Sequence, residues 1–143
     1  MSDTATSLSA RWGLVPLRLV VGLAFLMHGS QKLFTFGLAG TTNMMTQMGV
    51  PLPHLSAIVV IAAELLGGLA LITGRFTRLA ALALAVDMAG AVLLVKLPGG
   101  WFAPRGVEFE LTLCAAAVTL ALMGAGGISL DAARRRAAGI TPR

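Results

Sequence analysis

LSAIVVIAAELLGGLALIT, residues 55–73, carries a single charge, and that charge is a carboxylate at its centre. A run of this length is what a helix needs to cross a hydrocarbon core about 30 Å thick. Glu64 stands nine residues from either end, too deep to reach water by bending its side chain. It must be protonated or paired with a cation such as Arg18 or His28. The run therefore sets two expectations at once: a membrane-crossing helix, and an intramembrane polar contact that some other helix completes.

Three more runs are similarly long and apolar, at residues 14–33, 79–97 and 111–127. Across all 143 residues, 57% are hydrophobic and 12% charged, and mean hydropathy is +0.86. A soluble domain carries about 25% charged residues. The expected fold is thus an all-α integral membrane four-helix bundle occupying the whole chain, 1–143, as one domain. Its separators, MGVPLPH, TGRFTR and KLPGGWFAPRGVE, hold the prolines, glycines and charges that end spans. The start of the chain has a polar head before an apolar run, as a signal peptide does, but lacks an A-x-A-type cleavage site, so it reads as an uncleaved first helix.

Net charge is +5, from 11 Lys and Arg against 6 Asp and Glu. These cations fall at the ends of apolar runs rather than in a patch, which points to headgroups and topology and away from nucleic acid. Arg11, Arg75, Arg78, Arg134, Arg135, Arg136 and Arg143 would share one side; Lys32, Lys96 and Arg105 would share the other. Short cytoplasmic loops are enriched in Lys and Arg, so both termini are expected in the cytoplasm, with 129–143 a basic cytoplasmic tail. Ser129 ahead of Asp131 is a helix start signal, and the helix it opens is expected at the anionic membrane surface. The first loop, 34–54, has the Met and Thr content of an interfacial segment, and Trp101 and Phe102 suit an interfacial anchor.

Within the spans, the charges carry the information. Arg18, Gly22, Phe25, Gly29 and Lys32 lie within about 80° of each other at 100° per residue, forming one seam with His28 just outside it. Glu64, Gly68, Leu71 and Arg75 repeat the spacing on the next span, with Gly67 beside them. The glycines allow a neighbouring helix to approach closely; the cations either mark the two headgroup layers or line a site. Asp87 is central in the third span, and Glu110, Cys114, Ala117, Ala121 and Gly124 make a stripe on the fourth, with Glu108 pointing nearly opposite to Glu110. Arg18, His28, Lys32, Glu64 and Glu108 are the candidate site residues. Such a set could hold a quinone head group by hydrogen bonds to its two oxygens. It could equally be a self-satisfied network that fixes helix register.

Other chemistries find no support. Two histidines on different segments do not make a haem site, no His, Cys and Glu set has metal-ligand spacing, and Cys114 lacks a partner thiol and an adjacent base. Neither haem nor metal is expected, and no catalytic residue can be named.

The pieces RLVVGLAFLMHGSQKL, MGVPLP, AELLGGLALITGRFTR, RGVEFELTL and GAGGISLD, in that order from about Arg18 to Asp131, resemble the DoxX family of small bacterial membrane proteins. The resemblance implies a four-helix membrane bundle in the bacterial cytoplasmic membrane. Members have been linked to quinone-coupled sulfur oxidation, as small subunits like those of a thiosulfate:quinone oxidoreductase, and to membrane-bound redox defence complexes with soluble partners. The family pattern falls on Arg18, His28, Gly29, Lys32, Glu64, Gly68, Gly74, Arg75, Glu108, Glu110 and Asp131; Asp87 is not part of it. The leading expectation is a small integral subunit of a redox complex that binds quinone, in contact with other subunits or further copies of itself. The alternative is a non-enzymatic scaffold whose charges are structural. A transporter would need an aqueous route, which four spans without an inverted repeat could supply only as a dimer.

Overall fold

The computed structural model describes residues 3–137 and residue 139 and is helical throughout, with no strand among the described residues. Arg143 and the side chains of Arg11 and Arg135 lie outside what is described. Helix α1 (Asp3–Ser30) runs into a π-helical segment, Gln31–Thr35, followed by α2 (Gly37–Gln47) and α3 (Pro53–Thr73). Helix α4 (Thr77–Ala91) runs into a second π segment, Val92–Lys96, and α5 (Glu108–Met123) and α6 (Leu130–Ala137) follow.

Three segments are long and apolar enough to cross a membrane: Trp12–Thr35, Pro53–Thr73 and Thr77–Gly99. Helix α5 has 16 residues, about 24 Å at 1.5 Å per residue, short of a bilayer core. The run expected to continue to residue 127 stops at Met123 because Gly124 takes φ +86° and Gly126 φ +78°. Glycine adopts these left-handed conformations without steric cost.

Helix α1 packs along α3, α3 against α4 and α4 along α5, with a slighter contact from α5 back to α1. Phe25, Leu71, Leu84, Ala117 and Leu120 are fully enclosed between them. The outward faces are equally apolar: Val20, Leu66, Leu79, Val86 and Leu122 are each at least 65% exposed. So much contiguous apolar surface suits lipid as the surrounding solvent.

The turns explain where helices end. Gly74, at φ +67°, closes α3 with a Schellman motif: its N–H donates to Leu71 O, and that of Arg75 donates to Ala70 O. Phe76 follows at φ +52°, an uncommon conformation for a side-chain-bearing residue. It is held by Asp131, whose two carboxylate oxygens accept from Phe76 N (2.9 Å) and Thr77 N (3.0 Å) and so cap α4 from a distant helix. Ser129 caps α6 as its position suggests, accepting from Ala132 N at 3.0 Å. The first loop is more ordered than an interfacial strip: α2 lies on α3 with Thr41 and Met45 buried.

Candidate functional site

The glycine seams place the charges. Helices α1 and α3 run antiparallel and nearly touch: a Cβ on Gly68 would come within 2.7 Å of Gly22 O and Leu26 N, and one on Gly22 within 2.9 Å of Gly68 O. Gly29 meets Glu64 and Leu65 at 3.0 Å in the same way. Close backbone approach brings the polar side chains of the two seams within reach of each other.

Lys32 is the residue that meets Glu64. Its Nζ donates to both carboxylate oxygens, at 2.8 and 2.7 Å, with Glu64 3% exposed and the lysine side chain 22% exposed. The expected partners were Arg18 or His28, and this is a correction. The cause is register: Gly29 faces Glu64, so Lys32 is one turn beyond and reaches back to it. Lys32 therefore does not mark a headgroup layer. Its backbone is fixed as well, because the buried Thr41 hydroxyl of α2 donates to Lys32 O at 2.9 Å. This carbonyl lies in the π segment, a helix distortion found frequently at functional sites.

Asp87 belongs to the same level. Gly67 of α3 packs against Leu84 of the antiparallel α4, so Asp87, three residues past Leu84, comes level with Glu64, three residues before Gly67. Its Oδ2 is buried without a hydrogen-bond partner. Burial alone pointed to this residue. Among the described side chains, Glu110 Oε2 is the other buried carboxylate oxygen lacking a partner; Glu110 Oε1 pairs with Lys96 Nζ at 3.1 Å. His28 packs its ring against Phe109, with centroids 5.7 Å apart and planes tilted by 58°.

Two of the five candidates lie elsewhere. Arg18 is 3% exposed and donates to Ala125 O and Ile128 O, both at 2.9 Å. Its guanidinium sits against Gly74, where any Cβ would collide with it and with Ser129. Gly74 is ten residues from Glu64, about 15 Å along α3. Arg18 thus neither snorkels nor joins Glu64: it binds the two carbonyls that the break after α5 leaves free. Glu108 serves its own loop, accepting from Ala103 N at 2.8 Å. The structure brings Lys32 and Glu64 into contact, adds Asp87 at their depth, and draws Arg18 and Glu108 away. Among the described residues, no three His, Cys, Asp or Glu side chains gather as a metal site.

A family model described as DoxX matches residues 13–97, which includes the α1, α3 and α4 contributions to this site. The chain is 33% identical over 119 residues to a Bacillus subtilis protein named "Putative oxidoreductase CatD", covering 83% of this chain and 84% of that one. It is 32% identical over 120 residues to the inner membrane protein YphA of Escherichia coli, covering 80% and 84%. It is also 32% identical over 126 residues to the membrane protein Rv3486 of Mycobacterium tuberculosis, covering 80% and 77%. No solved structure matches the chain. Three apolar helices of spanning length, a family match over more than half of the residues and relatives that are themselves membrane proteins lead to one conclusion: this is a multi-pass bacterial membrane protein, and it belongs to the DoxX family.

Proposed function

We propose that the chain is a small integral subunit of a membrane redox complex, in which Lys32 and Glu64 form the base of a site for a quinone head group. In this reading α5 makes a fourth, short crossing of the inner membrane and both termini are cytoplasmic. The observation that carries it is the buried Lys32–Glu64 pair in the middle of α3, with the unpartnered Asp87 oxygen at the same depth. An ion pair so far from water costs desolvation that a packed apolar pair would avoid, which favours a use for it. The name of the Bacillus subtilis relative supports a redox setting.

The residues fit a head group with two carbonyl oxygens. A lysine ammonium has three N–H donors; two face Glu64, leaving a third for a carbonyl oxygen. Glu64 holds that ammonium in place. Asp87 Oδ2 can hold a proton at the same depth, and the His28 ring against Phe109 forms a wall at the end of α1. The quinone, when bound, supplies the electron-carrying chemistry; the chain supplies position, charge and a proton store.

Titration of the purified protein with a short-chain quinone tests this, with Glu64→Gln and His28→Ala beside the parent. In Glu64→Gln, loss of the carboxylate that positions the Lys32 donor should weaken binding roughly tenfold to a hundredfold. A parent that binds no quinone, or variants that bind as the parent does, removes the site. One observation favours a second reading: both Glu64 oxygens are satisfied within the protein, as a scaffold subunit would require. A scaffold predicts that Glu64→Gln alters stability but no ligand, and that the protein purifies within a larger assembly.

A further inference from the structure

We propose that the end of the molecule formed by the α3–α4 turn and α6 is a preformed binding surface for anionic phospholipid headgroups of the surrounding bilayer. Arg75 and Arg78 on the turn, and Arg134 and Arg136 on α6, are all exposed. Beside them Phe76, Ile128 and Leu130 are exposed apolar side chains, 49–58% accessible. Cations next to apolar groups are what a headgroup layer takes: phosphates meet guanidiniums, and the upper acyl region meets the ring and aliphatic groups.

Three features make this a built surface. First, α6 is fixed to the turn: Asp131 N donates to Gly74 O at 2.9 Å, and the Asp131 carboxylate binds Phe76 N and Thr77 N. The arginines of α6 are thereby held beside those of the turn, and less ordering entropy is lost when a phosphate binds. Second, among the described side chains no acid competes. Asp131 is the acid with a described side chain at this end, and both its oxygens are engaged by backbone N–H groups; Glu64 and Asp87 lie mid-span, and Glu108 and Glu110 toward the opposite end. Third, the surface sits at the depth a headgroup requires, because it is built on the ends of two spanning helices, α3 and α4. Arg18, buried against the same turn, is directed inward to carbonyls and takes no part. An acidic soluble partner would complement the charge but leave the apolar residues unexplained, so a phospholipid is the better occupant.

The protein as it exists can be reconstituted in nanodiscs of mixed phosphatidylcholine and phosphatidylglycerol and the retained lipid read by native mass spectrometry. Phosphatidylglycerol is expected to be enriched on the parent. The enrichment should fall roughly fivefold for each arginine removed in Arg75→Gln/Arg78→Gln and Arg134→Gln/Arg136→Gln, and persist in the matching lysine variants. These positions are exposed, so folding should survive; unchanged circular dichroism confirms it, and added salt should reduce the parent's enrichment. Equal retention of the two lipids by the parent, glutamine variants that enrich as the parent does, or an acidic protein held at these arginines without lipid preference would each overturn the proposal.

Discussion

The molecule contains two lysine–glutamate pairs built on the same plan, and they differ in how complete they are. Lys32 and Lys96 each stand in a π-helical segment that ends a long helix, and each reaches a glutamate on the next long helix. In the first pair the ammonium takes both oxygens of a carboxylate that is almost wholly buried. In the second, Lys96 divides itself between Glu110 Oε1 at 3.1 Å and Pro104 O at 2.7 Å, the two side chains are 27% and 14% exposed, and Glu110 Oε2 has no partner. Depth explains the difference. Near the end of the spans the loop carbonyl of Pro104 takes part of the lysine; in the middle Glu64 takes the ammonium with both of its oxygens.

The contrast can be broken from the deep side first. Glu64→Gln takes from a part-buried ammonium the carboxylate that holds it and should destabilise the protein by about 2–3 kcal/mol. Thermal unfolding in detergent micelles measures it, and Lys32→Met combined with Glu64→Leu should recover most of the loss. A loss under about 1 kcal/mol for the single variant would mean that Lys32 reaches water by itself.

The backbone contact that makes the deep pair possible gives the next largest effect. Gly68→Ala would force a methyl against Gly22 O and should cost about 1–3 kcal/mol. Gly90→Ala, in the helix that leads to Lys96, meets nothing within 4 Å and should stabilise by about 0.5–1 kcal/mol. Opposite signs in the same unfolding assay would show that one hairpin is closed by glycine contact and the other is not.

The outer pair should respond least. Lys96→Met removes a partly exposed contact and should cost about 1 kcal/mol or less. An effect as large as that of Glu64→Gln would erase the distinction between the pairs.

Much of this is legible in the sequence. The glycine and cation spacing on α1 picked out the face that packs on α3, and Glu64 announced itself by sitting nine residues inside an apolar run. Pairing was not legible. A seam says which residues face a neighbour, but the stagger of two antiparallel helices decides which of them meet, and a different stagger would exchange Lys32 for Arg18. The first π segment was hidden as well, because the contact that satisfies it is tertiary: Thr41, from another helix, donates to the carbonyl of Lys32. Arg18 illustrates the same limit. Its carbonyl partners exist only because two glycines break the chain after α5, and an apolar run of small residues gives little sign of such a break.

The cap that Asp131 places on α4 also bears on how the protein is made. The N–H groups of Phe76 and Thr77 wait for a carboxylate that lies 55 and 54 residues further along the chain. During synthesis the third apolar helix must therefore enter the membrane with its first turn open to water or headgroups, and the turn closes only after α5 has been laid down and α6 has folded back. Completion of the last helix is in this sense a signal received at the second turn. A chain interrupted before residue 131 would keep its apolar segments and lose the lock between them.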